Sequence, residues 1–452
     1  MATAYISRTF GTPTDEDKWT LSFWYKKVSP TAGVRVLDAD GGGNEGNISF
    51  DATTGKLNFY QYQTSLDTQL ITTNVYRDVG AFYHVVVIFD AANGTPSDRA
   101  QIWVNGARVT TLGTATYPTT LYSQINKSGV VHYIGAKGSA ADKYCDGVFS
   151  HMNFVDGSAL EPSYFGETDA TSGIWKIKTS PSVTYGNNGF FLKFEDRTNL
   201  DLDSSPNAHT FTTTGTITPT YDNPSNNFAT LNLLDGNIIN SGGLLNGGTT
   251  YNKSTTGAGY NTTCLSTLAV SSGKWYWESK MADASAIVSG FMNTDHGAYN
   301  GNWNLFNVNA NDGWGWYGTN GTRYVGTTAT TSYFNTFTTN DIISFALDLD
   351  NGKCYAAKNG VWENSGDPTS GATGTGSFAD ITTASTFFLT PALTNNNYAV
   401  ASKVYYNFGN GYFGDTAVSS ANADDAGIGA MEYDVPAGYY CLCTKNIKAY
   451  GA

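Results

Sequence analysis

Residues 82–89 read FYHVVVIF, and residues 101–109 read QIWVNGARV. The first stretch is apolar almost without a break and rich in β-branched side chains. It has the length of a strand, and its lack of alternation predicts burial on both faces. In the second, Asn105-Gly106 stands between two alternating runs. A two-residue hairpin turn needs positive φ at both central positions, which Asn and Gly adopt at least cost. Working backwards, residues 20–26 (TLSFWYK) set Leu21, Phe23 and Tyr25 against Thr20, Ser22 and Trp24. That spacing places one set on each face of a sheet. No stretch longer than about ten residues keeps a helical period. Glu161-Pro162 marks a short helical turn near residues 160–165.

The second half repeats the pattern. Residues 341–349 (DIISFALDL) alternate, Asn351-Gly352 turns the chain, and Asn359-Gly360 turns it again before Val361-Trp362. Residues 274–280 (KWYWESK), 387–393 and 403–408 read as further strands. The expected fold class is all-β, with two tandem antiparallel β-sandwiches and a short C-terminal docking tail. The first sandwich is expected over residues 1–196 and the second over 233–415. Residues 197–232, rich in Thr, Ser, Asn and Pro, read as a connector in which 210–218 can form an edge strand. Residues 416–452 form the tail, apolar enough around Tyr439, Tyr440 and Leu442 to dock.

Composition narrows the function classes. The 452 residues carry 25 Lys and Arg against 38 Asp and Glu, a net charge of −13. So acidic a chain lacks the cations that dominate affinity for nucleic acid. No apolar run approaches the length of a membrane span. Residues 1–10 lack a basic region followed by an apolar core, so no secretory signal is expected there. Five scattered Cys do not make a disulfide framework.

Carboxylates, metal ligands and aromatics are the groups that could carry local chemistry. Glycoside cleavage needs two converging carboxylates. Glu195 and Asp196 are adjacent and would point to opposite faces of a strand. Asp348 and Asp350 share a face but lead into a turn. None of the five His stands in a hydrolase or metalloprotease motif. The chain is therefore expected not to be an enzyme. Calcium takes several oxygen ligands, and the oxygen-rich stretches name Asp38, Asp40, Asp142 and Asp146 as candidate ligands, although Asp equally serves turns. No other cofactor is expected. Cys441 and Cys443 lack the partners of a zinc site. Saccharides pair an apolar ring face with a polar edge, which aromatics and amides match. The densest such cluster holds Tyr299, Asn302, Trp303, Trp314 and Trp316. These residues fit either a sandwich core or a glycan- or partner-binding surface.

Several of these stretches carry a resemblance. Residues 19–26 (WTLSFWYK), 82–90, 101–109, 131–135 (VHYIG), 146–155 and 189–196 (GFFLKFED) resemble the laminin-G-like, concanavalin-A-like sandwich family. Residues 273–278 (GKWYWE), 341–352 (DIISFALDLDNG), 358–362 (KNGVW) and 404–409 (VYYNFG) resemble the SPRY family, itself a concanavalin-A-like jelly roll. The pairing of the two, joined by residues 221–235 (YDNPSNNFATLNLLD) and ending in 436–445 (PAGYYCLCTK), is similar to virion structural proteins of marine tailed bacteriophages. The resemblance implies a compact decoration or peripheral head or tail protein on the outer surface of the virion. It would be assembled in the host cytoplasm and held by other virion proteins in multiple copies. It would carry a face for host-surface glycan, without nucleic-acid binding or membrane insertion. A receptor-binding tail fibre or tail-tip protein is the alternative, and a polysaccharide-cleaving enzyme the remote one.

Overall fold

The computed structural model describes residues 3–28, 33–138, 142–236, 242–254, 262–294, 306, 313–381, 388–397 and 399–451. The chain divides into two compact units. The first comprises residues 1–219 with 223–225, and the second comprises 220–222 with 226–452. Residues 197–219, expected to be connector, therefore belong to the first unit. Their strand Thr212–Thr214 extends a sheet edge by pairing with Tyr5–Thr9, within the stretch read as a candidate edge strand.

Among the described residues, the first unit has two main antiparallel sheets. One runs, neighbour to neighbour, Leu112–Thr116, Ser65–Val75, Lys56–Gln63, Asn44–Phe50, Val34–Gly41, Val131–Ile134, Tyr5–Thr9 and Thr212–Thr214. The other runs Phe190–Leu192, Gly147–Asp156, Lys18–Lys27, Tyr83–Asp90, Ala100–Val104 and Ala107–Arg108. Alternation decides which side chains meet between them. Leu21 and Phe23 face inward with Trp19, Phe59, Phe89 and Phe154. The Trp19 ring stacks on Phe89 at 5.4 Å and donates its indole N–H to Ser123 Oγ. Burying the ring while satisfying its one polar atom removes the main cost of a core Trp. The Tyr83–Asp90 strand is buried on both faces, as its unbroken apolar run requires. Asn105 and Gly106 hold φ of 48° and 79°, the geometry the hairpin demanded.

The second unit also has two main sheets among the described residues. One holds Leu231–Gly236, Thr262–Ser266, Leu389–Asn395, Ile287–Asn293, Gly313–Tyr317, Thr322–Val325 and Thr328–Thr330 in that order. The other is built around Lys274–Asp283, flanked by Ser402–Asn407 and Ile342–Asp348. Ser402–Asn407 pairs only from Glu278 onward. The vacant edge at Trp275 and Tyr276 is taken in parallel by Tyr440–Cys441 of the C-terminal segment. The tail is thus part of the second sandwich. It ends in the short helix Thr444–Tyr450. All five Cys are free. No helix among the described residues is long and apolar enough to cross a membrane.

Candidate functional site

The two sheets of the first unit differ on their outer faces. On the six-stranded sheet, Val86, Ile88, Val155 and Phe191 are covered by Phe165 and Tyr185, with Leu160 and Val183 beside them. Residues 157–188 thus cap that face with a second small core. Under the same cap, the fully buried His84 accepts the Trp175 indole N–H at Nδ1 (2.9 Å) and meets Ser22 Oγ at Nε2 (2.8 Å). An indole can only donate, so Nδ1 carries no proton and Nε2–H donates to Ser22. Burial pushes the imidazole down to about 3. This hydroxyl–imidazole pair is wired opposite to a nucleophile and its base, and it holds the cap in place.

The eight-stranded sheet presents a polar and aromatic outer face. Its register aligns Ser7, Tyr133, Asp38, Asn47, Tyr60 and Gln69 as direct partners across six strands. The next row pairs Asp40 with Glu45 and Glu45 with Tyr62. Period two explains the selection: Leu57, Phe59 and Gln61 turn inward, so Asn58, Tyr60 and Tyr62 turn out. The Tyr60 and Tyr62 rings lie parallel, 6.5 Å apart. Tyr133 meets Tyr5 edge-on at 5.7 Å and rests against Gly138, where a Cβ would come within 2.2 Å of its ring.

A chain of polar contacts runs beneath these rings. Ser49 Oγ donates to Asn47 Oδ1 and Asn47 Nδ2 to Glu45 Oε1, both at 3.0 Å. Arg35 Nη2 reaches the same Glu45 oxygen at 2.7 Å, and its Nη1 lies 3.7 Å from Asp38 Oδ1. Asp38 Oδ2 accepts the Gly138 N–H at 2.9 Å. Burial pushes the Asp38 carboxyl up to about 6, against the pull of Gly138 and Arg35. Tyr60 and Tyr133 are raised above the usual phenol value, first by burial and then by the nearby negative charges of Glu45 and of Asp38 and Asp40 respectively. Parallel rings above fixed amide and carboxylate groups suit a ligand with apolar faces and hydroxyl edges.

The residues singled out in the sequence fall elsewhere or take other roles. Tyr299, Asn302 and Trp303 lie outside the described residues. Trp316 is fully buried and Trp314 nearly so, which corrects their reading as ligand contacts. The reason is local: Gly313, Gly315 and Tyr317 take the outer face, where Gly315 leaves room for Phe306. Both Trp rings then turn into the sandwich. Trp314 stacks on Phe291 at 5.3 Å, and Trp316 donates to the Asn335 carbonyl at 2.9 Å. Asp38 lies beneath the outer face, fully buried, and Asp40 is half-buried beside it, while Arg35 supplies the positive charge there. Asp142 closes a turn through its backbone with Lys137, and Asp146 lies beside Tyr25 and Cys145. No group of three or more His, Cys, Asp or Glu converges on a metal position among the described residues. The four Asp therefore form no calcium cluster. Asp348 accepts the Asn351 N–H and side-chain amide and pairs with Lys274, which is turn chemistry. Asp196 accepts from Thr198 in a surface turn, and Glu195 faces His151. Arg35, Tyr60, Tyr62 and Tyr133 escaped the sequence reading. The signal was present in residues 59–63, FYQYQ, whose alternation puts two Tyr on one face.

Comparison with known proteins agrees with both sandwiches. Residues 2–163 match the concanavalin A-like lectin/glucanases superfamily, and residues 274–397 match the SPRY domain. The two matches fall one in each sandwich. Among solved structures it is similar to the SPRY domain of human HERC1, at 17% identity over 38% of this chain and 96% of that one, with a TM-score of 0.29. It is also similar to the TRIM65 PSpry domain, at 12% identity over 40% and 91%, with a TM-score of 0.29. The curated proteins contain no match to it.

Proposed function

We propose that this chain is a non-enzymatic structural protein on the outer surface of a bacteriophage particle. Other virion proteins hold it there in multiple copies, and it presents the outer face of its eight-stranded sheet to saccharide on the host surface. The observation that carries the binding role is that face: Tyr60, Tyr62 and Tyr133, half-buried above the Arg35–Glu45–Asn47 contacts. The virion setting is supported by the sequence resemblance of residues 221–235 and 436–445. Each sandwich is by itself a scaffold on which faces and loops do the binding. Glu45 on the face and the fully buried Asp38 beneath it are bridged by Arg35. An acid and a base that share one guanidinium are held for binding rather than for proton transfer to a sugar oxygen.

Gold-labelled antibody on intact particles tests the location. Label spread over the head supports a decoration protein. Label confined to the tail moves the function to receptor recognition by a tail fibre or tip. Particles without label overturn the virion reading. Purified chain that competes with particles for adsorption to cells supports host attachment, and failure to compete removes it. Release of reducing sugar from a polysaccharide would overturn the non-enzymatic reading.

A further inference from the structure

We propose that Cys441 and Cys443 are a redox pair, and that the disulfide they form locks the C-terminal segment onto the second sandwich. The pair is independent of the saccharide face of the first sandwich. Geometry brings the two sulfurs together. The Cys443 N–H donates to the Cys441 carbonyl at 3.0 Å, which closes a three-residue turn. Residues closed by so tight a turn lie within the Cα separation that a disulfide spans, about 4.4–6.8 Å. The two thiols share a hydrogen bond. Cys441 Sγ has little freedom to leave its partner. A Cβ at Gly409 or Gly429 would come within 3.0 or 3.2 Å of it, and Asn446 Nδ2 lies 3.3 Å away. The other three Cys are placed differently: Cys145, Cys264 and Cys354 each donate to a backbone carbonyl.

The two sulfurs divide the chemistry. The hydrogen bond from Cys441 first, then the Asn446 N–H and the Asn226 side chain, pull Cys443 below the usual thiol range despite its burial. Burial pushes Cys441 well up. Cys443 is therefore the thiolate that attacks, and Cys441 the thiol that follows. Cys443 also lies just beneath solvent, since Thr444 and Lys445 are exposed. The oxidant is a hydroperoxide, small enough to reach it. The Cys443 thiolate attacks one peroxide oxygen. An S–O bond forms, the O–O bond breaks, and the departing hydroxide takes up the proton Cys443 had released. The Cys441 sulfur then attacks the Cys443 sulfur. The S–S bond forms, the S–O bond breaks, and water leaves with the Cys441 proton. Two thiols have given up two electrons and two protons, and hydrogen peroxide has become two waters. A ring closed over one intervening residue is strained, and strained disulfides are the ones that thiols reopen. The lock follows from what the turn holds. Cys441 pairs with Tyr276 and donates its N–H to Asp424 at 2.9 Å, and the Leu442 carbonyl accepts the Ala229 N–H at 2.9 Å. A bond across the turn keeps these contacts from parting one after another.

The test is hydrogen peroxide added to the reduced full chain, read by intact mass and peptide mapping. The expected result is loss of two hydrogens, a bond mapped between Cys441 and Cys443, and full reversal by dithiothreitol. Limited proteolysis within residues 416–440 is expected to slow by on the order of tenfold in the oxidised chain. Cys441→Ser keeps the attacking sulfur and loses its partner, so it should stop at a Cys443 sulfenic acid that dimedone traps. Cys443→Ser should leave Cys441 unoxidised over the same time. A parent chain that forms no bond, or forms one among the other three Cys instead, overturns the redox pair. A Cys441–Cys443 bond that leaves proteolysis of 416–440 unchanged overturns the lock. The parent's mass and map need no variant, so a Ser chain that fails to fold leaves the test standing.

Discussion

Tyr433 donates its backbone N–H to the carboxylate of Glu278, 155 residues earlier in the chain, at 2.9 Å. The same carboxylate accepts from the Glu432 N–H at 2.8 Å, the Tyr276 hydroxyl at 3.0 Å and Asn407 Nδ2 at 3.2 Å. Glu278 is fully buried on the central strand Lys274–Asp283, so its side chain adds to the Tyr440–Cys441 pairing in fastening the C-terminal segment to the second sandwich. Removing the acceptor strands four donors, each costing about 1–3 kcal/mol when buried and unpaired. Glu278→Ala is expected to destabilise the second unit by at least about 3 kcal/mol. It should also open residues 416–440 to limited proteolysis before the sandwich itself is cut. Cleavage there at the parental rate would show that strand pairing alone holds the tail.

The same carboxylate sets a pH dependence. Burial pushes Glu278 up to about 7, against its four hydrogen bonds. A raised folded value means that the stabilisation is present at acidic pH, below the ordinary carboxylate range, and is lost as pH rises through about 7. His84 and His132, pushed down to about 3 by burial, act with the opposite sign as pH falls below their ordinary value. The contribution of Glu278 is therefore read as a difference. The melting temperature of Glu278→Gln minus that of the parent should rise between pH 5 and pH 8, because only the parent ionises. A flat difference would remove Glu278 from the titration.

Much of this was legible in the sequence, for a definite physical reason. Turn chemistry is local, so Asn105-Gly106 and Asn359-Gly360 declared their hairpins, and both hold the positive φ the turn needs. Period two is local as well, so the alternation of residues 341–349 and the apolar run 82–89 marked strands. Which face of a strand finds a cover is decided by distant segments. Nothing near Val86 shows that Phe165 and Tyr185 cap it, and nothing near Tyr60 shows that its sheet stays open. Trp314 and Trp316 illustrate the ambiguity: aromatic residues interleaved with Gly suit a saccharide platform and a sandwich core alike. Gly315 decided between them by admitting Phe306. Asp38 shows the same limit: Arg35 stands only three residues before it, where strict alternation would put it on the opposite face, and the irregularity between Arg35 and Leu37 that brings the two together is not visible in the sequence.

Arg35 yields a prediction about metals. Its guanidinium occupies the position between Asp38 and Glu45 that a cation would need. A chelator, or added calcium, is expected to leave the melting temperature of the parent chain unchanged. Arg35→Ala leaves Asp38 buried without its countercharge and should cost about 3 kcal/mol. A calcium-dependent rise in the parent's melting temperature would contradict this assignment.

His84 makes a spectroscopic prediction. Trp175 N–H on Nδ1 selects the Nε2–H tautomer. The ring is expected to show that tautomer in nitrogen-15 spectra and no titration between pH 5 and pH 8. Trp175→Phe removes the donor and leaves Nδ1 buried without a partner, at a cost of about 1–3 kcal/mol. A His84 signal that titrates near its ordinary value would mean that the 157–188 cap opens in solution.

The last prediction separates core from face with two aromatic deletions. Trp316 is fully buried against Phe334 and Phe337, with its N–H on the Asn335 carbonyl. Trp316→Ala removes a large volume from a packed interior and should cost about 3–5 kcal/mol. Tyr60 is half-buried on an open face, so Tyr60→Ala should change stability by under about 1 kcal/mol. Binding is expected to respond in the reverse order. At a temperature where both variants remain folded, Trp316→Ala should bind saccharide like the parent, and Tyr60→Ala should not. The opposite pattern, saccharide binding lost in a folded Trp316→Ala chain and retained in Tyr60→Ala, would move the binding surface to the second sandwich. It would also mean that the two tryptophans act through an opening of that core.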